Sequence, residues 1–258
     1  MIRLAGAREA AEIIARRDNP ALLVRIQALL TAYGTEQRFF EAWVHNGESL
    51  IARLGGAFEV FLSPGADFEE LAAFLSAQQQ LLSVSGESES LNSLLEYVCF
   101  SYDSTYSNIL ALTQPGPYAE PAAEIDRSPL LAEVYDLLRD AGYGSPEIGD
   151  FEHWYVDMSH RVRHGCASAC LISQQGFPAA CCLVYALSGS AGLLGGVAVR
   201  PAFRGRGLAS ALTGFAAHAL QADGRLPVLE CGDALVGFYE RLGFRLLPQR
   251  RLSAYMTL

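Results

Sequence analysis

The stretch that most constrains the fold of this chain is residues 193–212, LLGGVAVRPAFRGRGLASAL. Its apolar first part, 193–199, predicts a strand, and a basic, glycine-rich turn follows at 204–207. From residue 208 onward, apolar residues recur at helical spacing. The first backbone N–H groups of a helix have no partner inside the helix, and the helix dipole favours an anion there. A strand, a glycine-rich turn and a helix in this order therefore predict a phosphate site.

Four residues give the turn its chemical character. Gly205 and Gly207 lack the side chains that would keep a ligand from the backbone, and Arg204 and Arg206 add positive charge. We predict that the backbone N–H groups of residues 204–209 bind a pyrophosphate. The alternative is an ordinary turn between a strand and a helix, where glycine is common.

Two common glycine-rich motifs are excluded by the sequence. The nucleotide P-loop requires Gly-Lys followed by Ser or Thr, and this chain contains no lysine. The dinucleotide fingerprint G-x-G-x-x-G requires a third glycine that is missing here. The turn is therefore neither a Walker motif nor a Rossmann fingerprint.

Two motifs resemble those of one superfamily. The pattern R-x-x-G-x-A at 204–209 resembles the acetyl-CoA signature [QR]-x-x-G-x-[GA] of the GNAT N-acetyltransferases. Downstream, F-Y-E-R-L-G-F at 238–244 resembles the second motif of that superfamily. The motifs cover roughly the last fifty residues, and the order of the expected elements extends the resemblance back to about Ser128.

The resemblance implies an α/β fold with a mixed sheet, a GNAT-type acyltransferase fold, and acetyl-CoA as cosubstrate. In this fold the strand before the signature diverges from its neighbour, and the pantetheine arm of the coenzyme enters the gap. The backbone of that strand would then pair with the arm. The expected coenzyme-binding residues are Val197, Ala198, Val199, Arg204, Gly205, Arg206, Gly207, Leu208 and Ala209.

Gly195 and Gly196 lie inside this strand pattern. Two glycines weaken a strand unless they mark a bulge or a close approach of another group. A bulge here would place an N–H group near the thioester carbonyl. The alternative is tight packing against Phe215 or another large side chain, and the sequence leaves both interpretations open.

Tyr239 is the expected general acid, because the superfamily places a tyrosine at this position near the coenzyme sulfur. A phenol, with a pKa of about 10, can donate a proton as a sulfur gains charge. Tyr239 could instead be a core residue, since a Phe-Tyr pair on an apolar helix is usually buried. The strand before the signature contains no acid, and Gly232-Asp233 replace an asparagine that is frequent in the superfamily.

The candidate general base is Glu230, at the end of the strand that follows the signature helix. It could equally form a salt bridge, and proton loss through water is another route. The resemblance implies a primary-amine acceptor on a small molecule or peptide. A non-catalytic acyl-CoA sensor or interaction module is the alternative. Polar and aromatic residues of one predicted helix are expected to border the acceptor: His153, Trp154, Tyr155, His160, Arg161, Arg163 and His164.

Composition limits the remaining function classes. With 51% apolar and 18% charged residues the chain is globular, and no apolar run approaches a membrane span. The amino-terminal stretch lacks the apolar core of a secretion signal, and six cysteines in apolar surroundings suggest free thiols in a reducing compartment. We therefore expect a cytoplasmic protein with no membrane partner. There is no C-x-x-C pair, so no metal site is expected.

Charge divides the chain near residue 127. Residues 1–127 contain eight arginines and seventeen acids, whereas residues 128–258 contain eleven of each. This asymmetry coincides with an expected boundary between an accessory or degenerate GNAT-like domain, 1–127, and a catalytic domain, 128–258. The acidic first half argues against a nucleic-acid partner.

The two halves have nearly the same predicted order of elements, which indicates two similar units in tandem. At the position of the basic turn, the first half has residues 62–67, which contain no arginine and end in Asp67. An acid at a helix start repels a phosphate, so no coenzyme is expected there. Residues 102–126 are expected to end the first domain and form a linker or lid. Residues 244–258 are expected to close the sheet of the second half.

Overall fold

The computed structural model describes residues 1–257 except 18, 36, 38, 115, 117–122 and 145–147. The chain divides into two compact units. Unit 1 consists of Met1–Ile109, Cys231–Val236 and Leu246–Leu258, and unit 2 consists of Leu110–Glu230 and Gly237–Arg245. None of the helices in the described part of the chain has the length and apolar character needed to cross a membrane.

The secondary structure alternates between strands and helices along the whole chain. Its elements up to residue 126 are β1 (Ile2–Leu4), α1 (Ala7–Ala15), α2 (Pro20–Tyr33), β2 (Phe40–His45), β3 (Ser49–Leu54), β4 (Ala57–Phe61), α3 (Phe68–Ser76), β5 (Ser83–Glu87), α4 (Ser88–Leu95), β6 (Tyr102–Ala111) and β7 (Ile125–Asp126). The later elements are α5 (Leu131–Ala141), α6 (Phe151–Arg163), β8 (Ser168–Gln174), β9 (Phe177–Leu187), β10 (Ala191–Val199), a 3-10 turn (Pro201–Phe203), α7 (Leu208–Ala222), β11 (Leu226–Cys231), α8 (Asp233–Arg241) and β12 (Arg245–Met256).

Unit 1 is a sheet with strand order β1-β2-β3-β4-β5-β12-β6. Strands β4 and β5 run parallel, and β12 lies antiparallel beside β5, with Arg251 opposite Glu87 and Tyr255 opposite Ser83. The main core cluster places Trp43, Ile51 and Phe58 of the sheet against apolar residues of α3 and α4. The apolar spacing of these two helices in the sequence accounts for this packing.

Two β-rich runs in the sequence, 37–45 and 49–62, flank Asn46-Gly47 and predict a hairpin there, which is confirmed. β2 pairs with β3 in antiparallel register, and both turn residues have positive φ, 52° and 71°. This is the left-handed conformation that a two-residue hairpin turn requires. The prediction of one continuous run over 49–62 is wrong, because the chain turns at Gly55, where φ is 59°, and forms β3 and β4.

Two further expectations for the chain differ from the structure. Residues 102–111, expected to belong to a linker or lid, form β6, whose first residues are largely exposed and therefore lack an alternating apolar pattern. The remainder of that segment lies partly outside the described residues. The segment 244–258 is expected to close the sheet of the second half, but its strand β12 (Arg245–Met256) pairs with β5 of unit 1.

Unit 2 is a sheet with strand order β11-β10-β9-β8-β7. β10 is antiparallel to β9 and parallel to β11, and α7 connects the parallel pair. A buried cluster combines α5 and α6 with the sheet through Val134, Leu138, Trp154, Leu183 and Ala198. Apolar spacing in the sequence predicts helices at 130–141, 151–164 and 208–222, and α5, α6 and α7 confirm them.

The order strand, turn, helix, parallel strand, helix occurs twice along the chain, as β4-α3-β5-α4 and as β10-α7-β11-α8. This repetition is consistent with the predicted tandem design. In unit 1, α3 begins with a carboxylate, since Asp67 accepts a hydrogen bond from the Glu70 N–H, 3.0 Å. The boundary predicted between residues 127 and 128 stays a prediction.

Candidate functional site

A groove of about 480 Å³ lies where β10 leads into α7 in unit 2. It contains all nine residues that the sequence analysis expects to bind the coenzyme. The lining consists of Ala141, Tyr143, Val197, Ala198, Val199, Phe203, Arg204, Gly205, Arg206, Gly207, Leu208, Ala209, Ser210 and Phe238. One continuous surface therefore joins the end of β10 to the first turn of α7.

The glycines of the turn have the conformation that only glycine adopts without strain. Gly205 and Gly207 both have φ of 76°, and Gly207 is the residue that immediately precedes α7. No atom lies within 4 Å of the position that a Cβ would occupy at either glycine, so the space beside the backbone is open. A side chain here would be conformationally strained and would project into that open space.

The backbone N–H groups of the turn, whose residues line the groove, have no hydrogen-bond partners among the described residues. Among the hydrogen bonds of the described residues, none is donated by the N–H groups of residues 205–210. The first hydrogen bond of the helix is donated by the Ala211 N–H to the Gly207 carbonyl, 3.0 Å. A row of free N–H groups at the positive end of a fifteen-residue helix is suited to bind an anion.

Arginine side chains stabilise the turn through backbone carbonyls. Arg204 donates from Nε to the Val199 carbonyl, 3.2 Å, and from Nη2 to the Ala141 carbonyl, 3.1 Å. Arg206 donates from Nη1 to Gln174 Oε1, 2.9 Å, and its guanidinium lies 5.2 Å from the centre of the Phe203 ring. Both side chains are exposed, so their charges remain available to a ligand in the groove.

Strand β10 is irregular at the point where it approaches the groove. Its described pairing with β11 extends from Ala191 to Leu194 and no further. Its register with β9 shifts between Gly195, opposite Leu183, and Ala198, opposite Cys181, so that two residues of β10 lie opposite one residue of β9. Beyond Leu194, no residue of β10 is paired with β11 among the described strand pairs. The two parallel strands therefore diverge after Leu194.

The bulge and the tight packing considered for the two glycines are both present. Gly196 has a φ of 53°, the left-handed conformation that favours glycine, inside the shifted part of the register. A Cβ at Gly195 would lie 2.8 Å from a ring carbon of Tyr185. The large neighbouring side chain is therefore Tyr185, and Phe215, which the sequence analysis suggested, is not among these contacts.

Tyr239 is buried in α8, with 8% of its surface exposed. Its ring centre lies 4.9 Å from that of Phe238 and 6.1 Å from that of Phe244, both in edge-to-face geometry. Phe238 lines the groove and Tyr239 does not. The predicted acid is therefore adjacent in sequence to the groove wall, and its catalytic role stays a prediction.

Glu230 is the penultimate residue of β11 and is half-buried. It lies beyond Leu229, where the described pairing of β11 with β10 ends, and it is not among the residues that line the groove. The structure thus places it at the divergence of the two parallel strands. Its role as a base stays a prediction.

The residues expected to border the acceptor lie on α6, but none of them is among the described residues that line the groove. Trp154 is buried in the core of unit 2, and His153, Tyr155 and Arg163 are exposed. Asp150 caps the helix by accepting from the His153 N–H, 3.1 Å, and its second oxygen lies 2.7 Å from His153 Nδ1. These contacts, the backbone one first, lower the pKa of the Asp150 carboxyl.

The sequence analysis missed five groove residues: Ala141, Tyr143, Phe203, Ser210 and Phe238. Phe203 and Ser210 flank the basic turn, and Phe238 opens the second motif, so their positions beside the motifs could have indicated them. Ala141 and Tyr143 come from the end of α5 and the residues after it, more than fifty positions upstream. Only the packing of α5 against β10 brings these two residues to the groove.

None of the six cysteines, all of which belong to the described residues, lines the groove. Cys99 is exposed and the other five are buried, and all six are free. Burial raises the pKa of the Cys181 thiol to about 12. Burial, with a smaller contribution from the Asp233 carboxylate, raises that of Cys231 to about 11. Both therefore remain thiols at neutral pH. The described residues also contain no group of three or more His, Cys, Asp or Glu that could hold a metal ion.

Comparison with known proteins agrees with this geometry. Residues 151–246 match the sequence model of a family described as "Acetyltransferase (GNAT) domain". Comparison with curated proteins gave no significant match.

Solved structures extend the similarity to nearly the whole chain. A GCN5-related N-acetyltransferase from Sphaerobacter thermophilus is 20% identical, with a TM-score of 0.61, over 98% of this chain and 94% of that chain. One from Kribbella flavida is 17% identical, with a TM-score of 0.62, over 98% and 96%. A tandem GNAT protein from the clavulanic acid biosynthesis pathway is 13% identical, with a TM-score of 0.55, over 98% and 97%.

The matched region, 151–246, includes the groove from β10 to α7 and the second motif at 238–244. Identities of 20% and less show a shared fold and leave the reaction of this chain undetermined. Residues 151–246, which carry the divergent strands, the left-handed glycines and the row of free N–H groups, thus match the model of a GNAT acetyltransferase domain, and the chain has the fold of GNAT structures over nearly its whole length.

Proposed function

We propose that the protein is an acetyl-CoA-dependent N-acetyltransferase that transfers an acetyl group to a primary amine of a small molecule or peptide. The observation that carries this proposal is the row of partnerless N–H groups at residues 205–210 on the 480 Å³ groove. A diphosphate is the ligand class that such a row, flanked by Arg204 and Arg206, is suited to bind.

The residues present fit the coenzyme at both ends of the groove. The open space beside Gly205 and Gly207 leaves room for phosphate oxygens against the backbone. The part of β10 that has left β11 offers the backbone groups of Val197 and Val199 to an extended amide chain, which would pair there like an added strand. Acetyl-CoA supplies an acetyl group already activated as a thioester.

In the proposed mechanism Tyr239 is the general acid, and its Oη proton goes to the sulfur as the thioester bond breaks. Glu230 accepts a proton from the attacking amine, directly or through water, because only the neutral amine is a nucleophile. The backbone N–H groups of the β10 bulge stabilise negative charge on the carbonyl oxygen. This assignment is supported by the half-buried position of Glu230 at the divergence of β10 and β11 and by the proximity of Tyr239 to Phe238.

Transfer can be tested by incubating the full chain with acetyl-CoA and a panel of primary amines, and by measuring the release of the CoA thiol. We expect amine-dependent release well above hydrolysis without protein. Binding of acetyl-CoA without release for any amine would favour the alternative function, an acyl-CoA sensor. Failure to bind acetyl-CoA would refute the proposal.

A further inference from the structure

We propose that Tyr185 limits the size of the acyl group that the site accepts. The inference rests on the proposed function, because it assumes that an acyl-CoA extends along β10 from the turn toward the bulge. It assigns a specificity role to a residue outside both sequence motifs. Tyr185 lies in β9, and neither its position nor its spacing in the sequence relates it to the basic turn.

Tyr185 fills the volume that side chains at the bulge would otherwise occupy. A Cβ at Gly195 would lie 2.8 Å from Tyr185 Cδ2 and 2.9 Å from Cε2. A Cβ at Gly196 would lie 3.0 Å from Tyr185 Oη and 2.6 Å from a methyl carbon of Leu183. The ring therefore lies along both glycines, with its hydroxyl beside Gly196. The absence of side chains at the bulge is a consequence of this ring as well as of the backbone conformation.

The ring is connected to the groove through a shared wall. Ala198 belongs to the buried cluster between α5, α6 and the sheet, and it also lines the groove. Tyr185 and Tyr143 both pack against that cluster, and Tyr143 lines the groove as well. An acyl chain that continued past Val197 toward Gly196 and Gly195 would therefore meet the ring of Tyr185.

The position of Tyr185 is held by α6. Its backbone carbonyl accepts a hydrogen bond from Arg161 Nη1, 3.2 Å, and Arg161 is paired with Asp157 of the same helix. Its side chain is half-buried, between the cluster and the bulge. The hydrogen bond from α6 thus fixes the backbone at Tyr185, and the ring is confined by the cluster on one side and the two glycines on the other.

Removing the ring should open space for a longer acyl chain. Acetyl and butyryl groups differ by two CH₂ groups, and burying both in the space left by Tyr185→Ala should improve relative affinity about tenfold. Tyr185→Phe retains the ring, so its preference should remain within about twofold of that of the unmodified protein. Tyr97→Ala, the same truncation at an exposed residue in unit 1, is the matched control.

The experiment measures the affinities of acetyl-CoA and butyryl-CoA for the full chain by calorimetry, together with CoA release in the presence of a reactive amine. We expect the butyryl-to-acetyl affinity ratio to rise about tenfold in Tyr185→Ala and to stay constant in Tyr185→Phe and Tyr97→Ala. An unchanged ratio in folded Tyr185→Ala would overturn the inference. If acyl-CoA binds without CoA release, transfer is refuted while the affinity ratio still decides the inference. If neither acyl-CoA binds, both are refuted.

A second measurement depends on the packing alone and covers the case in which Tyr185→Ala does not fold. Gly195→Ala should destabilise the unmodified protein, because the new methyl group would clash with Cδ2 and Cε2 of the ring, and it should cost clearly less in Tyr185→Val, which has neither atom. The affinity ratio is then measured in Tyr185→Val, which keeps an apolar side chain suited to a strand but removes the ring. Equal destabilisation by Gly195→Ala in both backgrounds would refute the contact on which the inference depends.

Discussion

At the scale of single residues, the site depends on positions where a side chain is absent. Gly205 and Gly207 adopt positive φ and leave the N–H groups of the first turn of α7 uncovered. The equivalent turn in unit 1 ends in Asp67, whose carboxylate accepts from the Glu70 N–H and occupies the helix N-terminus. The turn before the helix therefore carries a carboxylate in unit 1, whereas the corresponding turn in unit 2 carries two arginines.

This contrast yields a prediction for Gly207. Asp and Asn both tolerate the left-handed conformation and both cap helices, so Gly207→Asp and Gly207→Asn should fold with similar stability. Gly207→Asp places a negative charge against the expected diphosphate and should weaken CoA binding by about tenfold or more. Gly207→Asn, which is neutral, places the same volume in the groove without the charge, so it should bind CoA about tenfold more tightly than Gly207→Asp. Calorimetric titration with CoA measures both, and equal affinities of the two variants would contradict the assignment.

A second residue-scale prediction concerns Tyr239. Tyr239→Phe preserves the edge-to-face packing with Phe238 and Phe244 and removes only the hydroxyl. If that hydroxyl protonates the sulfur, kcat should fall about 100-fold while acetyl-CoA affinity changes little. Tyr97→Phe, in unit 1, serves as the control for loss of a hydroxyl. An unchanged kcat in Tyr239→Phe would exclude Tyr239 from the mechanism.

At the scale of secondary-structure elements, β12 shows how a polar contact is built into the sheet of unit 1. Arg251 of β12 donates from Nη1 and Nη2 to the two carboxylate oxygens of Glu59 in β4, both at 2.6 Å. The two side chains are only 10% and 12% exposed. Beside them, Ser85 of β5 donates to Ser253 of β12, 2.9 Å. The register of β12 on β5 brings the pair together, so β12 contributes charge compensation as well as backbone hydrogen bonds.

Breaking this ion pair should be strongly destabilising. Arg251→Met leaves the Glu59 carboxylate buried without its partner, which should reduce the free energy of unfolding by about 3–5 kcal/mol. The double variant Glu59→Gln with Arg251→Met carries no buried charge and should recover much of that loss. Urea denaturation of the single and double variants measures the difference. Additive losses in the double variant would contradict the view that the uncompensated charge is the cause.

At the scale of the whole molecule, chain order and compact units do not coincide. Unit 1 contains Cys231–Val236 and Leu246–Leu258 in addition to the first 109 residues. Its strand β5 pairs with β12 over five residue pairs, from Glu87–Arg251 to Ser83–Tyr255. A fragment that ends near residue 127 therefore lacks a strand of its own sheet.

We accordingly expect the fragment 1–127 to lack a cooperative urea transition when it is produced alone. In that fragment the edge of β5 is unpaired and the Glu59 carboxylate has lost Arg251. Coexpression with the fragment 128–258, which carries β12, should restore a folded product. Circular dichroism and size-exclusion chromatography of the two preparations measure the difference. A cooperative transition of 1–127 alone would show that β12 is dispensable for unit 1.

Much of the local structure and of the groove was predictable from the sequence. The turn at 204–207, the helix after it and the strand before it are encoded by glycine, proline and apolar spacing over twenty consecutive residues. All nine residues that the sequence predicts to bind the coenzyme come from this stretch, and all nine line the groove. Short-range patterns of this kind are determined by steric and hydrogen-bonding rules that act within a few residues.

Other features depended on tertiary structure, because they arise from contacts between residues distant in the chain. β6 was missed since its exposed first half carries no alternating apolar pattern, and the partner of β12 could not be read from β12 itself. Tyr143 reaches the groove only through the packing of α5, and Tyr185 reaches Gly195 only through the register of β9 on β10. The sequence by itself thus determined the glycine-rich turn between β10 and α7, whose interactions are local. The tertiary structure alone decided which distant side chains surround it and which sheet receives the final strand, because strand pairing and helix packing are set by long-range complementarity.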